Sequence, residues 1–316
     1  MIPPMTEETT LNKAHILQST ALLAGGAGLC WVSTAHPAFQ PLWMPWDFSW
    51  CEYLAPAFAA LWFFRGLAAA APQERLPWWR TLSFLLGLAL IYAVLQTHFD
   101  FMAQHMFFLD RIQHVVMHHE GPFLIALSGA GETLRRGMPH WARRIADHRF
   151  STAAVRTLQQ PVLAVFLFSG LFYFWLIPAV NFRAMTDPQL YFLMNASMTL
   201  DGLLFWTLVL DRRPSPPARI SFAARAVLSI AVMFPQIILG AFIAFSDHDI
   251  YPYYNLCGRI YPSISAVTDQ HIGGIVSWDP PSMMSIIGFI TVLNFYRLSE
   301  DRKEKKAIST SSPQAA

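Results

Sequence analysis

The chain is poor in charge and in cysteine. Asp, Glu, Lys and Arg make up only 13% of its 316 residues, about half the share usual in a soluble domain. Mean hydropathy is +0.35, so an ordinary soluble enzyme does not fit. The three cysteines, Cys30, Cys51 and Cys257, lie far apart. They form no CxxC pair and no disulfide framework. A net charge of only +2, with no RNP, zinc-finger or basic-helix pattern, argues against a nucleic-acid partner. No P-loop, nucleophile elbow or GxGxxG after a strand is present. No catalytic residue is therefore assigned, and the chain is not expected to be an enzyme. What abounds is apolar: hydrophobic residues reach 54% and aromatics 14%, the reverse of a disordered composition. A polytopic membrane protein remains.

A helix needs about 20 mostly apolar residues to cross a bilayer. Such stretches lie near 14–34, 51–70, 81–99, 102–128, 160–180, 189–210, 221–245 and 281–299. None alternates polar and apolar residues, which argues against a β-barrel. The fold class expected is all-α, a transmembrane bundle of seven core helices plus an N-terminal segment. That first segment, with Lys13, an apolar run from Ile16 to Val32 and small residues at Ser33, Thr34 and Ala35, fits both a retained helix and a cleaved signal peptide. The organisation expected is an N-terminal segment 1–34, a bundle 35–299 and a disordered tail 300–316.

Arginine and lysine set the orientation of such a bundle. They crowd into 65–80, 129–158, 211–225 and the tail after 297, whereas 35–50, 97–102, 181–188 and 246–280 hold only Arg183 and Arg259 as basic residues. With eight crossings the two sets alternate without a violation. Both termini, the C-terminus included, are then cytoplasmic, in a multi-pass protein. The basic segment 129–158 reads as an anchor with a short surface helix around Trp141 to Ile145. The outer segment 246–280, with Tyr251, Tyr253, Tyr254 and Tyr261, reads as an ordered lid at the interface.

Five of the eleven histidines fall between 98 and 119: His98, His105, His114, His118 and His119. One predicted span holds Asp110, Arg111, His114, His118, His119 and Glu120. Ionisable groups at membrane depth are costly and face a bundle interior or water. A single buried histidine is ordinarily structural, but helix packing does not require six polar groups in eleven positions. At about 100° per residue, Asp110, His114 and His118 share a stripe, and His119 turns away toward the face of His105. Two imidazoles on consecutive turns can meet one ion, and Asp110 can add an oxygen or orient His114. Met102, Met106 and Met117 are nearby, and imidazole with thioether suits copper better than magnesium or calcium. His98, Asp100 and His105 read equally as an interfacial anchor and as a loading site at the outer mouth. Asp201, mid-span in the sixth segment, needs a partner; Arg111 or a histidine of the fourth span is expected. Asp269, Gln270 and His271 read as a turn before the last helix or as a polar cap on the outer mouth.

These motifs resemble the CtaG-type family of bacterial cytochrome c oxidase assembly factors, the multi-span group in its proteobacterial branch, over roughly residues 40–300. The family's H-x-x-Q-H appears here as Asp110-Arg111-Ile112-Gln113-His114, followed by Gly121-Pro122. Gln113 and His114 match, and an aspartate stands where the first histidine belongs. Gln104-His105 looks like a weaker second copy. The later signature, D-Q-x-x-G-G-x-x-x-W, matches Asp269, Gln270, Gly273, Gly274 and Trp278. LDGLLFWTLVLDRRP and IYPYYNLCGRIYP, with the His118-His119 pair, are similar to the proteobacterial branch. The resemblance implies a chaperone in the bacterial inner membrane that supplies or inserts copper into haem–copper oxidase. A cytochrome c oxidase subunit and a periplasmic copper donor would be its partners. The residues alone also leave open a copper or proton transporter, and a b-type haem protein, although no span outside 98–119 carries a mid-membrane histidine. Holding Cu(I) requires neutral imidazoles, so binding should weaken below about pH 6.5.

Overall fold

The computed structural model describes residues 7–36 and 40–311, and among these the regular structure is entirely helical. Helices form at all eight expected places. In chain order they are α1 Glu7–Ala35, α2 Trp50–Ala69, α3 Trp78–Gln96, α4 His98–Ala103, α5 Phe107–Val115, α6 Gly121–Ser128, α7 Gly131–Gly137, α8 His140–Asp147 and α9 Arg149–Leu158. There follow α10 Pro161–Leu176, α11 Pro178–Thr186, α12 Pro188–Val209, α13 Phe222–Ala231, α14 Met233–Ala244, α15 Tyr253–Leu256 and α16 Ala266–Ser311. Among the described residues five helical stretches are long and apolar enough to cross a membrane, and the pair α9 and α10, bent by 75°, makes a sixth if it is one span. The two that fall short have a compositional reason. α2 carries Glu52, Pro56 and Arg65, and the segment 98–128 carries the polar cluster.

That polar segment lies at the centre of the bundle. α5 packs on α16, and α6 packs on α3 and α12. The turn between α5 and α6 packs on α12 and α3. The charged, histidine-rich helix is thereby taken out of lipid, as the cost of bare charge in hydrocarbon demands. Gly202 of α12 lets backbone meet backbone here, since a Cβ there would lie 2.3 Å from the His118 carbonyl oxygen.

Several expectations need correction. The span 102–128 is not one helix: it breaks at Gln104–Met106 and again at a π-helical turn, Val116–Glu120. The last helix starts at Ala266, not near 281, and runs through Pro280 and Pro281. Residues 300–311, expected to be disordered, extend the same helix, and the rest of that tail lies outside the described residues. In segment 129–158 the short helix expected around Trp141 to Ile145 is present as α8, and α7 and α9 flank it. Tyr251 and Tyr254 are buried rather than interfacial. Tyr251 stacks on Phe107 with centroids 4.3 Å apart, and its hydroxyl donates to the Leu176 carbonyl at 2.9 Å.

The segregation of charge agrees with the alternation read from sequence. Arg136 pairs with Glu74 at 2.5 Å, Arg219 donates to the Arg156 carbonyl at 2.8 Å, and Arg80, Arg212 and Arg302 line one cavity. The four basic segments thus meet on one face. Residues of 35–50, 97–102 and 181–188 meet around another cavity, lined by Asp47, Ser49, Glu52, Asp100 and Thr186.

Candidate functional site

A π-turn is a one-residue insertion into a helix and often marks a functional position. Here it changes the geometry that an ideal helix predicts. His119 does not turn away toward His105; His114, His118 and His119 are all buried, at 1–2% exposure. All three line one cavity of about 10 Å³ with Arg111, Met198 of α12, Phe172 of α10 and Ser277 and Pro281 of α16. That is room for about one water or one bare ion. His118 stacks on Phe168 with centroids 4.1 Å apart, and His119 meets the same ring edge-on at 5.0 Å. Trp206 stands 6.3 Å from His119.

The ring nitrogens can be counted. His114 Nδ1 is 2.8 Å from the Asp110 carbonyl oxygen and 3.3 Å from Arg111 Nη2. Accepting from Arg111 would set its lone pair against a carbonyl, so the shorter contact assigns the proton to Nδ1. His114 Nε2 then carries a free lone pair, and it is buried without a partner. His118 Nε2 lies 3.1 Å from Asp201 Oδ2. Donation to that carboxylate leaves His118 Nδ1 free, again buried and unpartnered. Both nitrogens of His119 are in the same state. Buried polar atoms without partners cost about 1–3 kcal/mol each, and such a concentration calls for a ligand, ion or water. Each oriented ring also has the outer partner that metal-binding imidazoles use, a carbonyl for His114 and a carboxylate for His118. Among the described residues, however, no three His, Cys, Asp or Glu side chains stand so that they could hold a metal ion as placed.

Asp201 therefore finds a histidine rather than Arg111. Arg111 instead pairs with its neighbour Asp110, Nε donating at 2.9 Å to Oδ2, and its guanidinium stands over Phe107 at 5.1 Å. Asp110 is fully buried. It neutralises Arg111 and lies 3.5 Å from His114 Nδ1, so it orients the site from outside the cavity.

Gln113 faces outward along the bundle. Its Nε2 donates to Asp100 Oδ1 and to the Val94 carbonyl, both at 2.8 Å. Tyr191 OH is 2.7 Å from the same Asp100 oxygen and 3.1 Å from Gln113 Oε1. Asp100 lines the cavity of about 470 Å³ that has Asp47 and Glu52 on its wall. Gln113, the neighbour of His114 in the chain, is thus bonded to a wall residue of that cavity. His98 and His105 are not brought to the cluster. His98 packs on Trp46 at 4.5 Å, and His105 Nδ1 bonds the Phe101 carbonyl at 2.7 Å. Neither lines the Asp100 cavity.

Asp269 and Gln270 are neither a loose turn nor a mouth cap. Asp269 sits in the first turn of α16 and accepts the backbone N–H groups of Phe107 at 2.9 Å and Phe108 at 2.8 Å. It supplies, from 162 residues away, the N-terminal cap that α5 lacks locally. Arg259 donates to Asp269 at 2.6 Å. Gln270 accepts from Ile250 N–H at 2.7 Å and donates to the His248 carbonyl at 3.1 Å. The D-Q pair therefore ties α5 and the outer loop to α16.

Of the sulfurs, Met106 and Met117 are packed in apolar clusters and Met102 lies against one. The methionine at the cavity is Met198, which sequence reasoning missed. Its signal was the spacing from Asn195 through Met198 to Asp201, which puts all three on one side of α12.

Fold and site together define an all-α, polytopic membrane protein organised around a buried polar helix. The family model described as cytochrome c oxidase caa3 assembly factor matches residues 61–298, and the chain belongs to that family. The likeness read from the motifs around Gln113 and Asp269 agrees with it. No curated protein and no solved structure matches the chain.

Proposed function

We propose that this assembly factor serves cytochrome c oxidase by holding copper, as cargo, at His114, His118 and His119 and passing it to an oxidase subunit. One observation carries the reading: four ring nitrogens of three histidines are buried without partners, and all three rings line the same small cavity. Imidazole and the Met198 thioether are soft enough to favour Cu(I). The Asp110–Arg111 pair brings no net charge, which suits a monovalent ion better than a divalent one. By the positive-inside rule the basic face is cytoplasmic. The Asp47–Glu52–Asp100 cavity then opens to the periplasm, where a copper donor would approach, and Gln113 is the link inward. Loading requires movement, because the outer cavity, the basic-face cavity and the histidine cavity share no lining residue. That separation favours a carrier over a transporter. A cavity of about 10 Å³ does not admit a porphyrin, which counts against the haem reading.

The test is complementation. A strain lacking this protein should assemble oxidase depleted of copper. The wild-type chain should restore it, and His114→Ala with His118→Ala should not, at equal membrane abundance. Full restoration by the double variant contradicts the proposal. Copper uptake into sealed liposomes by the pure protein would instead mark a transporter.

A further inference from the structure

On the basic face lies a cavity of about 480 Å³ whose lining has five cations, Arg80, Arg212, Arg302, Lys303 and Lys306, and no carboxylate. They come from three places in the chain: the start of α3, the loop after α12 and the far end of α16. Phe295, Leu298 and Pro214 supply an apolar wall.

Part of this has a plain structural use. Arg80 donates to the Ser128 carbonyl and to that of Gly129 at 3.1 Å, and Arg212 Nη2 donates to the Leu127 carbonyl at 2.7 Å. These oxygens end α6, where cations are favourable. Gly129 completes that end at φ +60, and a Cβ there would meet Arg80 at 2.3 Å.

Capping does not account for the rest. Arg212 Nε is buried without a partner. Its guanidinium is held over Trp79 at 5.2 Å and Phe295 at 4.9 Å. Burial and the nearby charges of Arg80 and Arg302 pull Arg212 down to about 10, so it stays charged at neutral pH beside two further guanidinium groups. Arg302 and Lys303 do not reach α6 carbonyls. Among the described residues Lys303 pairs with Glu300, at 2.8 Å on the surface, an interaction worth little.

We infer that this cavity binds the phosphate of an anionic phospholipid, with its acyl chains along the Phe295–Leu298 wall. Anionic headgroups favour basic pockets between membrane helices. Depth supports a lipid over a free anion. Trp78 and Trp79, 77% and 42% exposed, stand at the start of α3 as interfacial tryptophans do. Leu293 and Ile290, one and two turns inward on α16, are also exposed. The volume far exceeds that of one phosphate.

The full chain, purified in a neutral detergent, is titrated separately with phosphatidylglycerol, phosphatidylcholine and inorganic phosphate. Thermal unfolding and native mass spectrometry report binding. Phosphatidylglycerol should stabilise the protein and remain bound, and the other two at equal concentration should not. Arg302→Ala with Lys303→Ala, at exposed positions, should unfold like wild type without lipid yet bind phosphatidylglycerol roughly 30-fold more weakly, about fivefold per cation. Equal binding of both lipids, equal protection by inorganic phosphate, or full affinity in the double variant would each overturn the assignment.

Discussion

Asp269→Ala is the substitution whose cost can be worked most fully from the structure. Asp269 is fully buried. Its oxygens accept two backbone N–H groups that begin α5, at 2.9 and 2.8 Å, and the Arg259 guanidinium at 2.6 Å. Alanine leaves two buried donors open, at about 1–3 kcal/mol each. It also takes from Arg259, 13% exposed, its carboxylate partner, leaving it the weaker contacts to the Ile264 and Ser265 carbonyls. These terms overlap, so about 3–5 kcal/mol is expected in all. Hydrogen exchange at the Phe107 and Phe108 amides in detergent reads this directly. At about 1.4 kcal/mol per factor of ten, their protection should fall at least 100-fold. Asp269→Asn keeps an acceptor oxygen but loses the charge and should fall between. Because α5 fixes the height of His114, copper retention should fall in parallel. Protection within threefold of wild type in the alanine variant would refute the reasoning.

Further substitutions probe other contacts. Gly202→Leu should push α12 off the π-turn and part Asp201 from His118. Oxidase activity in membranes should then fall while immunoblotting shows normal insertion; unchanged activity would mean that this close approach is dispensable. Tyr191→Phe removes the hydroxyl shared by Asp100 and Gln113 and should cost about 1 kcal/mol, read as a lowered unfolding midpoint. An unshifted midpoint would show that this network adds nothing.

Much of the architecture can be read from the residues because membrane physics is strict. Apolar length located the eight helical places, and arginine placement separated the segments that meet on the basic face from those around Asp100. What escaped is tertiary. Nothing near Met106 announces a break, since no glycine or proline lies there; α5 restarts at Phe107 because Asp269 caps it from another helix. The π-turn has no periodic signature, so His119 was turned from a cavity that it lines. Pro280 and Pro281 look like a helix stop, yet α16 continues, as membrane helices allow when other groups take up freed carbonyls. The histidine stripe was legible from spacing, but Met198 and the aromatic walls come from other helices.

If the unpartnered imidazoles hold copper, the ion should travel with the protein. Elemental analysis of the detergent-purified chain, expressed with copper and isolated under reducing conditions, tests it most directly. Close to one copper per wild-type chain is expected, and less than a tenth of that in His114→Ala/His118→Ala at matched folding. Copper-free wild type, or a double variant that keeps its full complement, would contradict it.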